Sequence, residues 1–362
     1  MNGVESRLLT RELTVNPVAV GCWAIGGPGH NLGLPMGWAN ADDRESLLGL
    51  RRAHQLGANL FDTADVYGHG HSERLIGRFL ADVDRDSVVL SSKVGYFAGT
   101  AEHAYEPEHM RHQLETTLRN LRTDHLDIYF LHTNSFGKAD RYLEGAVEQM
   151  RDFQRRGLIR AIGMRGPHRL ATDRLTLPKA QREDKHARFR QLFEVIRPDY
   201  LSVRFNALTP LAGEGQQDLF AFAAERGVSV LANKPLAQGL LLGKYDPDRP
   251  PAFGEGDIRG RKAWFTEPFL RILQQGLEPL RERFGPSSAD LARVAIRYVL
   301  QHADNCAVLT GFTTAEQVEK NLLCLGEELS GDDMAFIRET CGRVQKQLDA
   351  AGEVFLDELE KP

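Results

Sequence analysis

Along this chain a short apolar run repeatedly gives way to a segment with helical spacing, and this alternation constrains the fold more than any single residue does. The strand-like runs are Asn16–Trp23, Ala58–Phe61, Ser87–Lys93, Leu126–His132, Leu158–Met164, Tyr200–Phe205, Val228–Asn233 and Cys306–Thr310. Helical spacing marks Asp42–Leu56, His71–Leu80, Pro107–Leu121, Gly145–Arg156, Phe189–Ile196 and Gln216–Arg226. It returns at Phe269–Phe284, Ala289–His302, Thr314–Leu323 and Asp332–Gln347. Gly57 is a helix stop, Ser72 a candidate N-cap, and Pro107 opens a helix where a missing N–H costs nothing. Apolar strands alternating with helices imply a parallel sheet buried on both faces. Eight such units favour closure into a barrel, and no GxGxxG follows the first strand to suggest an open dinucleotide-binding sheet. The expectation is an α/β protein, a single (β/α)8 TIM barrel with long loops at its C-terminal face. One domain is expected over residues 1–362, with a core of about 16–325 and a C-terminal helix and tail at 331–362.

The 362 residues suit one barrel with loop insertions, and no linker divides them. A net charge of −5 with mixed signs argues against a nucleic-acid scaffold or a polybasic membrane anchor. No run approaches the apolar length of a membrane span, and the start lacks a basic-then-apolar leader. Four cysteines without CxxC spacing point to reduced thiols and a cytoplasmic location. No HExxH arrangement suggests a metal site. Two connections are long, Gly166–Lys185 and Tyr245–Thr266. Both follow strand ends and so should lie over the barrel mouth, either as a lid or as a solvated insertion.

Catalytic groups of such barrels sit at the carboxyl ends of the strands. There the chain places Asp62, Tyr67, Lys93 and His132. A phenol with an ordinary pKa of about 10 is a weak acid, and an adjoining ammonium lowers that value. Lys93 is suited to supply the charge, Asp62 to hold Lys93 ionised, and His132 to donate to a substrate oxygen. Such a set can protonate a carbonyl oxygen as hydride reaches the carbon, or run the reverse alcohol oxidation. Singly, each residue has a commoner explanation, as a turn cap, a solvated lysine or a packed ring. Their order on three successive strands weakens those explanations.

The run FDTADVYGHGHSERLIGRFL, followed by SSK and LDIYFLH, resembles the aldo-keto reductase superfamily. The likeness extends through GLIRAIG, PLAQGLLLGKY and GFTTAEQVEKN, roughly from Val18 to Asn321. It implies an (α/β)8 barrel that binds NAD(P)H extended, with Asp62, Tyr67, Lys93 and His132 as the catalytic tetrad and Tyr67 as general acid/base. It also implies pyrophosphate contacts at Leu236, Gly239, Leu240 and Gly243, and adenosine contacts at Gly311, Thr313, Gln317 and Asn321. Gln317 stands where many relatives carry an arginine for the 2′-phosphate; NADP is the implied cofactor, with NAD the alternative. The nicotinamide end falls to Arg165, Ser202 and Asn233, and Cys22 and Trp23 are further implied cofactor contacts. There the chain departs from the family pattern: Arg165-Gly166 replaces Ser-Asn, Ser202 replaces Gln, and Asn233 replaces a stacking aromatic.

Trp23, Tyr96, Phe97 and Trp264 are candidate walls of a substrate pocket. Arg165, Arg204 and Lys234 should cluster near the ends of strands 5 to 7 and attract an anion. That anion is either a carboxylate or phosphate of the substrate or a phosphate of the cofactor. The leading expectation is an NADP-dependent reductase of small aldehydes or ketones, or dehydrogenase of the matching alcohols, without nucleic-acid or membrane partners. A redox-neutral epimerase using bound nucleotide and a non-catalytic regulatory subunit are the alternatives.

Overall fold

The computed structural model describes residues 6–167, 185–209 and 217–351. Eight parallel strands close into a barrel: β1 Val18–Gly21, β2 Leu60–Asp62, β3 Val89–Val94, β4 Leu126–Leu131, β5 Ile159–Arg165, β6 Tyr200–Arg204, β7 Ser229–Asn233 and β8 Cys306–Gly311. They pair in chain order, and β8 returns to β1 through Gly311 opposite Gly21. Every strand expected from the sequence is present, most of them shortened at the ends. β1 spans only four residues: before it the Asn16 side chain accepts from the Val18 N–H (2.9 Å), and after it the Cys22 N–H makes a last bond to the Asp62 carbonyl (2.8 Å).

The helices α1 Asp43–Gln55, α2 His71–Leu80, α3 Pro107–Leu121, α4 Leu143–Arg155, α5 Lys185–Ile196 and α6 Leu219–Ala224 pack around the first seven strands. Asp42 caps α1 by accepting from the Glu45 N–H, and Pro107 opens α3. Ser72 does not cap α2. The cap is Gly70 in the left-handed region, and the buried Ser72 hydroxyl donates to the Cys22 carbonyl (2.8 Å) and pairs with Thr63 Oγ1. The stretch from residue 269 to 284 is two helices, α7 Glu267–Gly276 and α8 Glu278–Phe284. Gly276 sits hard against Val344, and Pro279 supplies no N–H to continue the first helix. Then follow α9 Ser288–Leu300, with a Ser287/Asp290 capping box, α10 Ala315–Leu323 and α11 Gly331–Ala350.

A hairpin of Arg7–Leu9 with Leu13–Val15, which the sequence pattern does not announce, plugs the amino end of the barrel. Leu9, Leu13 and Val15 close a second apolar cluster with Leu60, Ile128, Tyr200, Leu231 and Ala307 inside the barrel. The Tyr200 hydroxyl donates to the Thr10 carbonyl, and Arg7 donates to the carbonyls of Leu300, Ala303 and Cys306. Higher up, Phe130 leans over Gly163, where any side chain would strike its ring. That layer separates the apolar core from the mouth.

Over the mouth lies the connection from residue 245 to 266, which packs rather than floats. Ile258, Trp264 and Phe265 are buried, and Asp257 accepts both from the Ala39 N–H and bidentately from Arg259. The solvated-insertion reading is thereby excluded for this connection. Most of the other long connection, and the end of the tail, lie outside the described residues. No helix among the described residues is long and apolar enough to cross a membrane.

Candidate active site

The strand ends present their side chains in a ring, and the register fixes their neighbours. Asp62 ends β2 opposite Ser91, Lys93 pairs with Phe130, and His132 follows β4 with its N–H on the Val94 carbonyl. Arg165 ends β5 beside Ser202, and Arg204 ends β6 beside Asn233. They face one cavity of about 400 Å3, within the usual range of small-molecule sites.

Lys93 Nζ lies 2.7 Å from Asp62 Oδ2 and 2.6 Å from the Thr63 carbonyl, while Ser91 donates to the other Asp62 oxygen. Both charged side chains are almost fully buried, at 4 % and 6 % exposure, so the pair has a fixed geometry. The same Nζ stands 5.0 Å from the centre of the Tyr67 ring, close enough for its charge to act on the phenol. His132 meets the Tyr67 ring edge-on at 6.1 Å. The four residues therefore form one contiguous group at the cavity floor.

The electrostatic balance differs from the sequence expectation. Burial opposes the Lys93 ammonium, but Asp62 and then Tyr67 outweigh it and hold Lys93 above an ordinary lysine. At Tyr67 burial is the largest influence. It outweighs the lowering by Lys93 and pushes the phenol up to about 12. Lys93 thus limits how far the phenol rises, and the hydroxyl stays protonated near neutral pH.

Arg165, Ser202 and Asn233, expected at the nicotinamide end, line the cavity together with the cofactor candidate Trp23, and Asn233 Nδ2 donates to Ser202 Oγ at 3.2 Å. Cys22 does not reach it. Its thiol is buried in the core, because the chain turns at Cys22 and sends Trp23 to the mouth. Leu236 and Gly239 line the cavity, but Leu240 turns into the core and Gly243 passes beneath, giving its carbonyl to Arg281. Turns into the left-handed region separate them: Lys234, Ala237, Gln238, Gly239 and Gly243 all have positive φ. Such strain clusters at ligand-holding loops and can aim backbone N–H groups at an anion. Gly311, Thr313, Gln317 and Asn321 line the far end; Gln317 Oε1 accepts from the Thr313 N–H, and Asn321 holds the Gly311 carbonyl.

Among the candidate substrate-pocket residues, Tyr96, Arg204 and Lys234 line the cavity with Trp23. Phe97 stacks on His69 at 5.1 Å instead, and Trp264 is buried beneath Arg204 and Lys262. Sequence reasoning overlooked Trp38, Lys244 and Arg259, which also line the cavity. Trp38 lies in an aperiodic loop, with Trp23 at 6.1 Å and the Arg259 guanidinium 3.8 Å over its ring. Lys244 is the last residue but one of the quoted GLLLGKY run and was legible there. Burial and then Arg259 lower its ammonium below an ordinary lysine. His69-Gly70-His71 has a spacing met in metal sites, but His69 bonds the His30 carbonyl and His71 bonds Asp43. No metal-holding cluster occurs among the described residues.

A closed parallel barrel with a protonated phenol, a buried ammonium–carboxylate pair and an imidazole at its C-terminal mouth defines a class of barrel oxidoreductases. The model of the aldo/keto reductase family matches residues 17–341, and the chain belongs to that family. It is 26 % identical over 353 residues to an NADH-specific methylglyoxal reductase of Escherichia coli K12, covering 93 % of this chain and 98 % of that protein. It is 24 % identical over 329 residues to an L-galactose dehydrogenase of Arabidopsis thaliana, covering 90 % of each chain. The structure of a glycerol dehydrogenase from Gluconobacter oxydans superposes with a TM-score of 0.70 at 25 % identity, over 95 % of this chain and 96 % of that one.

Proposed function

We propose that this protein is an NADP(H)-dependent reductase of small aldehydes or ketones, acting equally in the reverse sense on the alcohols. The contact set of Tyr67, Lys93, Asp62 and His132 around one cavity carries the reading. A nicotinamide cofactor fits what is present. The left-handed positions between Lys234 and Gly243 suit a pyrophosphate, with Lys244 beside them for a further phosphate; Thr313, Gln317 and Asn321 suit the adenosine end; Ser202 and Asn233 suit a carboxamide. Bound NAD(P)H supplies a hydride to the carbonyl carbon.

The chain's own residues then manage the proton and the charge. Tyr67 gives its phenolic proton to the carbonyl oxygen as negative charge develops there. Lys93 stabilises the resulting phenolate, and Asp62 keeps Lys93 charged and in place. His132 orients the carbonyl oxygen by donating to it. Trp23 and Trp38 exclude water from one wall. Lys244, on the phosphate-facing side, supports NADP(H) over NAD(H) as a partner for the 2′-phosphate, while the Escherichia coli relative is named NADH-specific. Four unpaired thiols, three of them buried, support a reducing cytoplasmic setting.

The test is to titrate NADPH and NADH by fluorescence and then assay methylglyoxal and other short aldehydes, following absorbance at 340 nm. One NAD(P)H oxidised per carbonyl reduced is expected. Turnover of a sugar epimer without nucleotide consumption would replace this reading with the redox-neutral one.

A further inference from the structure

Tyr96 reaches the mouth from the loop after β3, and two contacts fix its phenol. Arg165, at the end of β5, donates through Nη1 to the Tyr96 oxygen at 2.8 Å. In the ring β4 runs between β3 and β5, so the phenol lies across the end of β4. There its ring stands at 88° to that of His132, with 4.6 Å between centres. Tyr67, carried by the loop after β2, meets the same imidazole edge-on at 6.1 Å. His132 thus touches two phenols, and all three residues line the cavity.

Tyr96 has spent only part of its hydrogen-bonding capacity. A guanidinium donates and never accepts, so the bond from Arg165 occupies a lone pair of the Tyr96 oxygen and leaves its proton. The hydroxyl donates to no group among the described residues. A bond accepted from a cation also polarises the O–H and strengthens it as a donor. The cavity therefore holds one more hydroxyl donor than protonation of a single carbonyl oxygen by Tyr67, with His132 orienting it, requires. A substrate whose carbonyl oxygen lies between Tyr67 and His132 can turn an oxygen on its next carbon toward Tyr96.

We propose that the Tyr96 hydroxyl donates a hydrogen bond to an oxygen on the carbon next to the reacting carbonyl, so that the preferred substrates are short 2-hydroxy or 2-oxo aldehydes and ketones. This rests on the reductase reading and names its substrate class. Arg165 serves as the group that fixes Tyr96, and the proposal uses none of its other contacts. Because the phenol is already held against His132, little ordering is left to be done when substrate binds.

The experiment compares glycolaldehyde with propanal, and methylglyoxal with 2-methylpropanal, in the wild type and Tyr96→Phe. Each pair exchanges one oxygen for a carbon of similar size. Phenylalanine keeps the ring contact with His132 and removes only the donor. Intrinsic reactivity differs within a pair, but that difference cancels when the two proteins are compared. In Tyr96→Phe the kcat/KM of the oxygenated member relative to its partner should fall by roughly 3- to 10-fold, the size of one hydrogen bond. The NADPH Kd, read by fluorescence, should stay within twofold of wild type. An unchanged ratio overturns the proposal. So does an equal fall for both members of a pair: with a weakened NADPH Kd it would place Tyr96 on the cofactor, and without one it would make Tyr96 a support for His132. If no carbonyl is reduced, the reductase reading fails on its own. Titration of glycolamide against propionamide, read by tryptophan fluorescence in both proteins, still decides the Tyr96 site: loss of a glycolamide preference in the variant supports it, and no preference in the wild type sinks it.

Discussion

The indole of Trp23 lies 6.0 Å from the ring of Tyr67 and within 28° of parallel to it, so the phenol is held in place by its ring as well as by its hydroxyl. Tyr67→Phe keeps this stacking and removes only the proton donor. The variant should lower kcat by about 100- to 10,000-fold, the usual size of a lost general acid. Its NADPH Kd should stay within a few-fold of wild type, because the hydroxyl is not part of the phosphate cradle. Steady-state kinetics beside a fluorescence titration checks both, and near-normal turnover would make Tyr67 a bystander.

Removal of Lys93 leaves Asp62 buried and without its cation. Loss of one partner from a buried ion pair costs about 3–5 kcal/mol. Lys93→Met should therefore lower Tm markedly in thermal melts. It also removes the charge that restrains the Tyr67 phenol, already at about 12, so that value should climb further. In alcohol oxidation, which needs the phenolate, the pH-rate limb should move to higher pH. An unmoved limb would show that Lys93 does not act on Tyr67.

Asp65 lies just behind the site, and burial, followed by the charge of Glu73, pushes it up to about 8. An acid whose folded pKa exceeds its unfolded value of about 3.9 holds a proton that the unfolded chain has released. Between about pH 4 and pH 8 stability should thus fall as pH rises, by up to about 1.4 kcal/mol per pH unit. Asp65→Asn should flatten that slope and melt higher than wild type at pH 8. Urea denaturation at pH 5 and pH 8 measures it, and parallel pH profiles for the two proteins would discard the assignment.

Lys244 lines the cavity on the phosphate-facing side. Lys244→Met should weaken NADPH about tenfold and NADH less, as fits the loss of one charge-assisted phosphate contact. Parallel titrations at low and moderate salt give the comparison. Equal loss for both nucleotides would place Lys244 on the pyrophosphate instead.

Gly77 on α2 faces α3, and a methyl group there would collide with the Asn120 carbonyl. A backbone atom cannot swing aside as a side-chain tip can. Gly77→Ala should cost about 1–3 kcal/mol despite the better helix propensity of alanine. Chemical denaturation reads it directly, and a neutral or stabilising result would mean that α2 and α3 separate readily.

The sequence by itself determined the eight strands, their order and the rim positions of Asp62, Lys93 and His132. Strand and helix periods are local signals, and a parallel strand carries its next residues to the same end of the barrel. Its boundaries failed where a distant contact outweighed local preference. Ser72 gives its hydroxyl to the Cys22 carbonyl rather than to a helix end, and the helix after Thr266 breaks where Gly276 meets Val344. Only the tertiary structure decided that the hairpin at residues 7–15 plugs the barrel and that Trp38 and Arg259 meet over the mouth. It also turned Leu240 and Cys22 away from the cavity and set Arg165 on Tyr96. These are pairings between segments far apart in the chain, which no local period encodes. The protonation of Tyr67 belongs with them, because desolvation depends on depth within the assembled fold, and depth outweighed the neighbouring charge that the sequence announces.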